Sequence, residues 1–363
     1  NGITYEEAKA TAELAVAAGA DAIHMTAYAD ATSAPGFTDG PLPHAPAAYV
    51  DFAKGVRERV SVPVIAVGRI EPAEADSLIA AGEVDMVAMG RKLLADPELP
   101  RKLQEDRASE IRPCVYCYVC VAQAFFDRSV RCAVNPVTAH ETELCNLGKT
   151  LPGERKHILI AGGGPAGMEA ARIATIRGHR VTLYEKSSRL GGALRFGAVV
   201  YEPNERLLHW YESELARLQV EICLGVEVDA ALVKDVRPDT LILAHGAAKS
   251  RPRIPGIDQN HVLDGEDLRS LLTGEGDPGV AKKISRTGRL AIRVGRAVGL
   301  TTEAGRIRKA SHAYMPVGQN IVVLGGDLVG CEIAEFLAER GRHVTVLEAG
   351  ATPARQMAHP RRF

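Results

Sequence analysis

His157-Ile-Leu-Ile-Ala161-Gly162-Gly163-Gly164-Pro165-Ala166-Gly167 decides the fold of this chain. The short apolar run reads as a buried strand, and the turn after it has G-x-G-x-x-G spacing. A helix is expected from Pro165 to about Arg177. Gly178 ends it, and Arg180–Glu185 reads as a second strand. Each position has a physical task in holding a dinucleotide. Gly162 makes the tight turn, Gly164 lets a pyrophosphate approach the backbone, and Gly167 lets the helix pack on the strand. Pro165 and Ala166 open the helix, whose N-terminus faces the pyrophosphate. Glu185 ends the second strand, where a carboxylate accepts from the adenosine ribose. Gly191-Gly192 follows, and Gly192 joins the candidate site.

Downstream the same unit recurs. Ile321-Val-Val-Leu-Gly325-Gly-Asp327-Leu-Val-Gly330 starts it and Val344-Thr-Val-Leu-Glu348 ends it. At one constant offset, without a gap, Gly162 falls on Gly325, Gly167 on Gly330, Ala171 on Ala334, Gly178 on Gly341 and Glu185 on Glu348. Two such units in one chain imply transfer between two nucleotides. Asp327 holds the middle glycine position, where a carboxylate would crowd a pyrophosphate. Glu348 would accept a ribose hydroxyl and repel a 2′-phosphate, which favours NADH over NADPH.

Between the copies, Glu205–Leu218 reads as a helix with an apolar stripe of Leu207, Leu208, Trp210, Tyr211, Leu215 and Leu218. Val220–Leu224 and Asp239–His245 read as strands. Gly274–Gly318 is rich in Lys and Arg, with a basic helical run from Lys282 to Arg296. It reads as a solvated insertion rather than a membrane or acidic-partner face.

Upstream lies a second signature. Cys114, Cys117, Cys120 and Cys132 form a C-x2-C-x2-C-x11-C array. Thiolates bind soft metals, and a compact trio with one remote cysteine suits an iron–sulfur cubane. Structural zinc, which takes separated C-x2-C pairs, is the competing reading. Asn135-Pro136 fixes the exit of the array. Cys145 fits neither spacing, and Cys223 and Cys331 are expected in the core.

Before the array, helix and strand alternate. A capping box at Thr4 and Glu7 opens a helix to about Ala18, with a small-residue face that includes Leu14. Asp21–Thr26 is expected as a buried strand. A Pro/Gly-rich loop occupies 30–46. Helix Ala47–Arg59, strand Pro63–Val67, helix Pro72–Ala81, strand Val84–Met89 and helix Glu98–Glu105 follow. These signals are those of the last part of a (β/α)8 barrel, whose phosphate site lies in the loops after its final strands. Gly68-Arg69 and Gly90-Arg91 occupy those loops. Each glycine admits a phosphate to the backbone, and each arginine offers it a fork of donors.

With 363 residues, 46% of them apolar, the chain has room for roughly two or three domains. A net charge of −1 gives no case for a nucleic-acid partner. No apolar run reaches membrane-spanning length, so no membrane partner is expected. Seven cysteines, an odd number in a large chain, argue for a reducing, cytoplasmic setting. The chain starts at Asn1 and stops soon after a strand signal, so both ends read as cut.

Arg112-Pro-Cys114 to Pro136, Gly68-Arg69-Ile70, Met89-Gly90-Arg91 and the repeat together resemble one family. It comprises the Old Yellow Enzyme-related iron–sulfur flavoproteins that include 2,4-dienoyl-CoA reductase and trimethylamine dehydrogenase. The resemblance implies an α/β fold: the C-terminal part of a (β/α)8 barrel at 1–112, a [4Fe–4S] loop and linker at 113–155, and tandem Rossmann-like units of disulfide-reductase type. The first of these, for FAD, spans 156–273. A linker and the start of the NAD(P) unit span 274–363. It implies FMN phosphate at Arg69, Gly90 and Arg91, the cluster at Cys114, Cys117, Cys120 and Cys132, and the ADP part of FAD at Gly162 to Glu185. It also implies an NADH-dependent oxidoreductase in which electrons run from NADH to FAD, cluster and FMN, and then to an activated C=C bond of an enone or enoyl thioester.

The cysteine spacing is closer to the amine dehydrogenases, which run electrons from amine to FMN, cluster and an external acceptor. The two nucleotide fingerprints lean towards the NADH-using reductases. The earlier barrel strands are absent, so no catalytic acid is named and the fragment alone is expected to be inactive. Tyr28, Ala29 and Asp30 stand where the reductases carry a substrate-facing His, and His24 lies in the strand itself. The partner is a small-molecule substrate, and a homo-oligomer is compatible with the sequence.

Overall fold

Local capping and apolar spacing set most of the elements in the computed structural model, which describes residues 3–27, 45–144, 151–247, 251–273 and 278–354. The loop read at 30–46 lies almost wholly outside the described residues, as do Tyr28, Ala29, Asp30 and Cys145. The chain divides into two compact units. One comprises the residues up to Pro97 together with Tyr116–Arg128. The other comprises Glu98–Val115 and the residues from Ser129 on.

The first unit opens with helix Tyr5–Ala17, whose Thr4–Glu7 capping box forms as expected. Three strands follow, β1 (Ile23–Met25), β2 (Val64–Val67) and β3 (Met86–Ala88), parallel and in that order. Helices Val50–Arg57 and Pro72–Ala80 connect them. Ala53, Val56, Val64, Ala66, Ile70 and Val84 form the core between helices and sheet. Two expectations are corrected. The strand expected to be buried at 21–26 is only three residues long, and His24 is exposed, because β1 is an edge strand. Leu14 lies on the solvent side of its helix at 71% exposure; of that face only Ala12 is buried.

In the second unit β4 (His157–Ala161), β5 (Arg180–Glu185), β6 (Glu221–Leu224) and β7 (Thr240–Leu243) form a parallel sheet in the order β6-β5-β4-β7. The central pair, β4 and β5, is nearly buried on both faces, as a doubly covered parallel sheet requires. Helix Glu202–Arg217 buries Leu207, Leu208, Trp210, Tyr211 and Leu215, so the expected stripe is a core face; Leu218 is half-buried beyond its end. A two-stranded parallel sheet, β8 (Asn320–Leu324) and β9 (His343–Leu347), carries the repeat.

The insertion between the copies is helical. Helices Gly265–Thr273 and Ala304–Ala313 pack Leu268, Leu272, Ala304 and Ile307 against Ala198, Val199, Phe336 and Leu337. Helix Arg286–Ala297 carries the basic run, with Leu290 and Val294 exposed. Cys223 and Cys331 are half-buried rather than core residues, because both lie where one face of the sheet or helix is open. Among the described residues no helix is long and apolar enough to cross a membrane.

Candidate functional site

The two glycine-rich turns superpose in their chemistry as well as in their letters. Gly162 and Gly325 take left-handed φ values of 116° and 98°, which only glycine adopts freely. Their N–H groups donate to the carbonyls of Tyr184 and Leu347, both at 2.8 Å. A Cβ at Gly167 would collide with the carbonyl oxygen of Gly162, and one at Gly330 with that of Gly325. The acids that end the second strands also do the same work. Glu185 Oε2 accepts from the Gly163 N–H at 2.6 Å, and Glu348 Oε2 accepts from the Gly326 N–H at 2.7 Å. Ser187 and Gly350 supply a second N–H to the other oxygen of each, at 2.8 and 2.7 Å. Each oxygen keeps a further lone pair for a ribose hydroxyl.

The middle positions differ. Gly164 is extended at φ −76°, ψ −178°, and no atom lies within 4 Å of where a Cβ would stand. Gly192, left-handed at φ +49°, faces it across a gap only backbone can line: a Cβ at Gly192 would come within 3.2 Å of the Gly164 Cα. Pro165 begins the helix and needs no partner for an N–H. Ala166 is exposed in the first turn. In the second copy Asp327 takes nearly the same backbone angles, −79° and −176°. Its Oδ1 accepts from the Leu328 N–H at 2.9 Å. The bare first turn fits the pyrophosphate of a dinucleotide, whereas the second already holds a carboxylate at its helix start.

In the first unit, Gly68-Arg69 follows β2. Gly90-Arg91 follows β3, but as the first turn of a short helix, Gly90–Ala95, rather than as a free turn. Gly68 is left-handed at φ 125° and Arg69 at 54°; a Cβ at Gly68 would press on the Tyr49 ring at 3.1 Å. The Arg69 and Arg91 guanidinium groups converge on one ring, that of Tyr116, at 5.8 and 5.4 Å from its centre. Arg91 also lies 4.6 Å from the centre of the Tyr118 ring. Lys92, 7% exposed, places Nζ 2.6 Å from the Tyr116 hydroxyl and 2.6 Å from Glu71 Oε2. The Tyr116 hydroxyl donates to Glu71 Oε1 at 2.8 Å. Arg69, Arg91 and Lys92 thus gather at this ring against the carboxylate of Glu71, an arrangement that suits a phosphate dianion.

Tyr116 and Tyr118 flank Cys117, and both are left-handed, at φ 49° and 60°. That conformation costs a non-glycine residue about 1–2 kcal/mol. Burial of both rings and their contacts with Lys92, Glu71 and Arg91 hold it. Cys120 lies in the first turn of helix Val119–Phe125.

In the second unit Arg112 joins the two ends of the cysteine array. It is 7% exposed. One Nη donates to the Val134 carbonyl at 2.7 Å and reaches Asn135 Oδ1 at 3.4 Å. The other faces Glu169 at 3.5 Å, and the guanidinium lies 4.5 Å from the Trp210 ring centre. Glu169 belongs to the helix that begins at the first glycine-rich turn. Arg112 therefore ties the residues beside Cys114 and Cys132 to the nucleotide-binding unit. Tyr211, edge-on to Trp210, has its phenol pKa pushed upward, first by burial and then by the Glu169 carboxylate, so it stays neutral.

Arg112→Ala will strand a buried carbonyl and strip the Trp210 face, costing about 3 kcal/mol. Urea unfolding and iron content both check it. Arg112→Lys will not restore either, because an ammonium cannot span this fork.

Cys114, Cys117, Cys120 and Cys132 are all half-buried, and none is in a disulfide. Cys117 and Cys120 belong to the first unit, Cys114 and Cys132 to the second. Among the described residues no three His, Cys, Asp or Glu side chains already stand as a ligand set. Four cysteines in one array are the thiolate donor set an iron–sulfur cluster takes. Sequence reasoning assigned no role to Glu71, Lys92, Arg112 or Tyr116. Their only local signal is adjacency to Gly68-Arg69, to Gly90-Arg91 or to the cysteines.

Residues 2–110 match the NADH:flavin oxidoreductase / NADH oxidase family, and residues 156–362 match the pyridine nucleotide-disulphide oxidoreductase family. The chain is 35% identical over 361 residues to an NADH oxidase of Thermoanaerobacter brockii, covering 96% of this chain and 48% of that one. It is 35% identical over 304 residues to a cinnamate reductase of Clostridium sporogenes, covering 83% and 39%. A solved 2-naphthoyl-CoA reductase complex superposes with a TM-score of 0.79 at 27% identity, covering 98% of this chain and 48% of that one. The chain thus spans about half the length of these relatives or less. The expected resemblance and α/β fold are borne out. The chain belongs to the NADH:flavin oxidoreductase / NADH oxidase family, in the 2,4-dienoyl-CoA reductase / trimethylamine dehydrogenase group that joins its barrel to a pyridine nucleotide-disulphide oxidoreductase unit.

Proposed function

We propose that the enzyme containing this chain is an NADH-dependent flavin oxidoreductase that reduces an activated C=C bond of an enone or enoyl thioester. The duplicated turn carries the reading: Gly163 with Glu185, and Gly326 with Glu348, make the same hydrogen bond in two nucleotide-binding units of one chain. Relatives named NADH oxidase, cinnamate reductase and 2-naphthoyl-CoA reductase support it.

Residues 1–112 are assigned to the FMN end of the barrel, 113–155 to the [4Fe–4S] loop and linker, 156–273 to FAD, and 274–363 to the linker and the start of the NAD(P) unit. Arg69 and Arg91, with the backbone of Gly68 and Gly90, would hold FMN phosphate. Cys114, Cys117, Cys120 and Cys132 would ligate the cluster. Gly162, Gly164, Pro165, Ala166, Gly167 and Gly192 would line the FAD pyrophosphate, with Glu185 on its ribose. Gly325, Gly330 and Glu348 would do the same for NADH. When bound, these groups supply hydride transfer at each flavin and single-electron transfer between them.

Glu348 sets the nucleotide preference. The N–H groups of Gly350 and then Gly326 hold its carboxyl below the usual carboxylate range. A carboxyl with a lowered pKa keeps its charge above that value and loses it only as pH falls through it. It therefore repels a 2′-phosphate at neutral pH and still does so in mild acid. NADH will bleach the flavin absorbance of the full-length enzyme, NADPH will do so poorly, and Glu348→Gln will narrow the preference by roughly tenfold, the charge acting at hydrogen-bond range. No bleaching by NADH, with bleaching by a methylated amine, would instead make the enzyme an amine dehydrogenase, the reading that the C-x2-C-x2-C spacing favours.

A further inference from the structure

We propose that Tyr116 is a positioning residue that couples phosphate binding at Arg69 and Arg91 to the shape of the cysteine loop around Cys117. The inference rests on the FMN and cluster assignments above and adds the residue that connects them.

Tyr116 is a side chain on which both arginine turns meet, at 5.8 and 5.4 Å. It is also the residue next to Cys117 in the chain. Its ring is 5% exposed, and its hydroxyl closes a triangle with Lys92 Nζ at 2.6 Å and Glu71 Oε1 at 2.8 Å. The third side, Lys92 to Glu71, measures 2.6 Å. Glu71 stands one residue beyond Arg69-Ile70, at the N-cap of helix Pro72–Ala80. Lys92 follows Arg91 directly in helix Gly90–Ala95. Each arm of the triangle is therefore rooted in one of the two arginine turns.

The mechanical consequence is direct. Arg69 and Arg91 carry like charge towards one ring, and an anion bound by both offsets their repulsion. A bound phosphate draws both guanidinium groups to fixed positions and so fixes the faces of the Tyr116 ring. The ring in turn fixes the left-handed backbone at Tyr116, and with it the direction in which Cys117 leaves the loop. Without the phosphate the loop keeps the hydroxyl triangle and Tyr118 under Arg91, but loses the anion that offsets the repulsion between the two arginines. Coupling of this kind is reciprocal: what the phosphate does for the cysteine loop, the cluster does for the phosphate site.

The test uses the full-length holoenzyme and reads iron release to ferrozine rather than turnover. Wild-type enzyme stripped of FMN should lose iron about tenfold faster than the FMN-loaded form, within the usual range of coupling between two sites. Riboflavin, which lacks the phosphate, should not protect. In Tyr116→Leu the two rates should converge while FMN still binds, as its quenched fluorescence shows. Persistent protection by FMN in that variant overturns the inference, and so does equal protection by riboflavin. Should Tyr116→Leu fail to load a cluster, Lys92→Met keeps the ring, the loop sequence and the hydroxyl's bond to Glu71, and removes only the Lys92 contacts to the hydroxyl and to Glu71. There the FMN effect should fall by at least threefold, and an unchanged effect overturns the inference. A wild-type enzyme that holds FMN and iron yet shows no FMN dependence sinks the coupling alone. One that contains no iron or no FMN sinks the reading of the function, and the coupling with it.

Discussion

Cys117→Ala in the full-length enzyme will leave bleaching of one flavin by NADH intact and slow reduction of the other by at least about 100-fold. The lower bound follows from metal sites in general, where outer partners of a ligand alone are worth about 10–100-fold; a lost thiolate is worth more. Cys117 is the middle cysteine of the trio and sits between two left-handed tyrosines, so no neighbouring thiol can slide into its place without rebuilding that turn. Stopped-flow absorbance separates the two flavins by their rates, and iron analysis reports the cluster. Cys223→Ala is the matched control: Cys223 is also half-buried and outside any disulfide, but it lies in β6, away from the array in sequence. If both flavins still reduce at wild-type rates in Cys117→Ala, electrons do not pass through these cysteines. Zinc in place of iron in the wild type would rule out the same electron path.

The parts of this molecule that sequence made legible are those in which chemistry is local. β5 runs from Arg180 to Glu185, as its composition and the Gly178 stop require. The gapless repeat transfers to the structure down to the hydrogen bonds of Glu185 and Glu348, because each bond joins groups at a fixed separation within one strand–turn–helix–strand unit. The short helix Gly90–Ala95 was not legible. Six residues give no helical period to detect, and a glycine at its start reads as a break.

Long-range polar contacts were not legible either. Tyr116 meets Glu71 across 45 residues and Lys92 across 24, and Arg112 meets Glu169 across 57. Nothing in the local pattern of a lysine or a tyrosine marks it as one side of a buried triangle. The buried position of Lys92 could be read only after β3 and the cysteine loop had been placed in one unit. The basic helix Arg286–Ala297 shows the converse. Its charge pattern was plain, but the packing of the neighbouring helix Ala304–Ala313 depends on Arg308, which donates to the Val199 carbonyl at 3.4 Å and pairs with Glu205 at 2.9 Å.

Gly167→Ala and Gly330→Ala will separate the two nucleotide units, although the substitutions are the same. In both turns the new methyl group would meet a carbonyl oxygen of the preceding strand end, Gly162 in one copy and Gly325 in the other. The helix must then tilt away from the strand. Overpacking of this kind costs about 1–3 kcal/mol, and the upper end corresponds to roughly 100-fold in binding. The affected helix start is bare in the first copy, where Gly164 and Gly192 leave only backbone against the ligand. In the second copy Asp327 already caps it. Gly167→Ala should therefore release FAD, read as flavin lost on gel filtration and recovered on adding excess FAD. Gly330→Ala should retain FAD and FMN and lose the response to NADH, with a smaller change in stability, since β8 and β9 leave Val322, Leu324 and Leu347 exposed and the helix has less packing to lose. Loss of FAD from Gly330→Ala, with Gly167→Ala failing only towards NADH, would exchange the two assignments. Full retention of both responses in both variants would mean that neither turn holds a nucleotide.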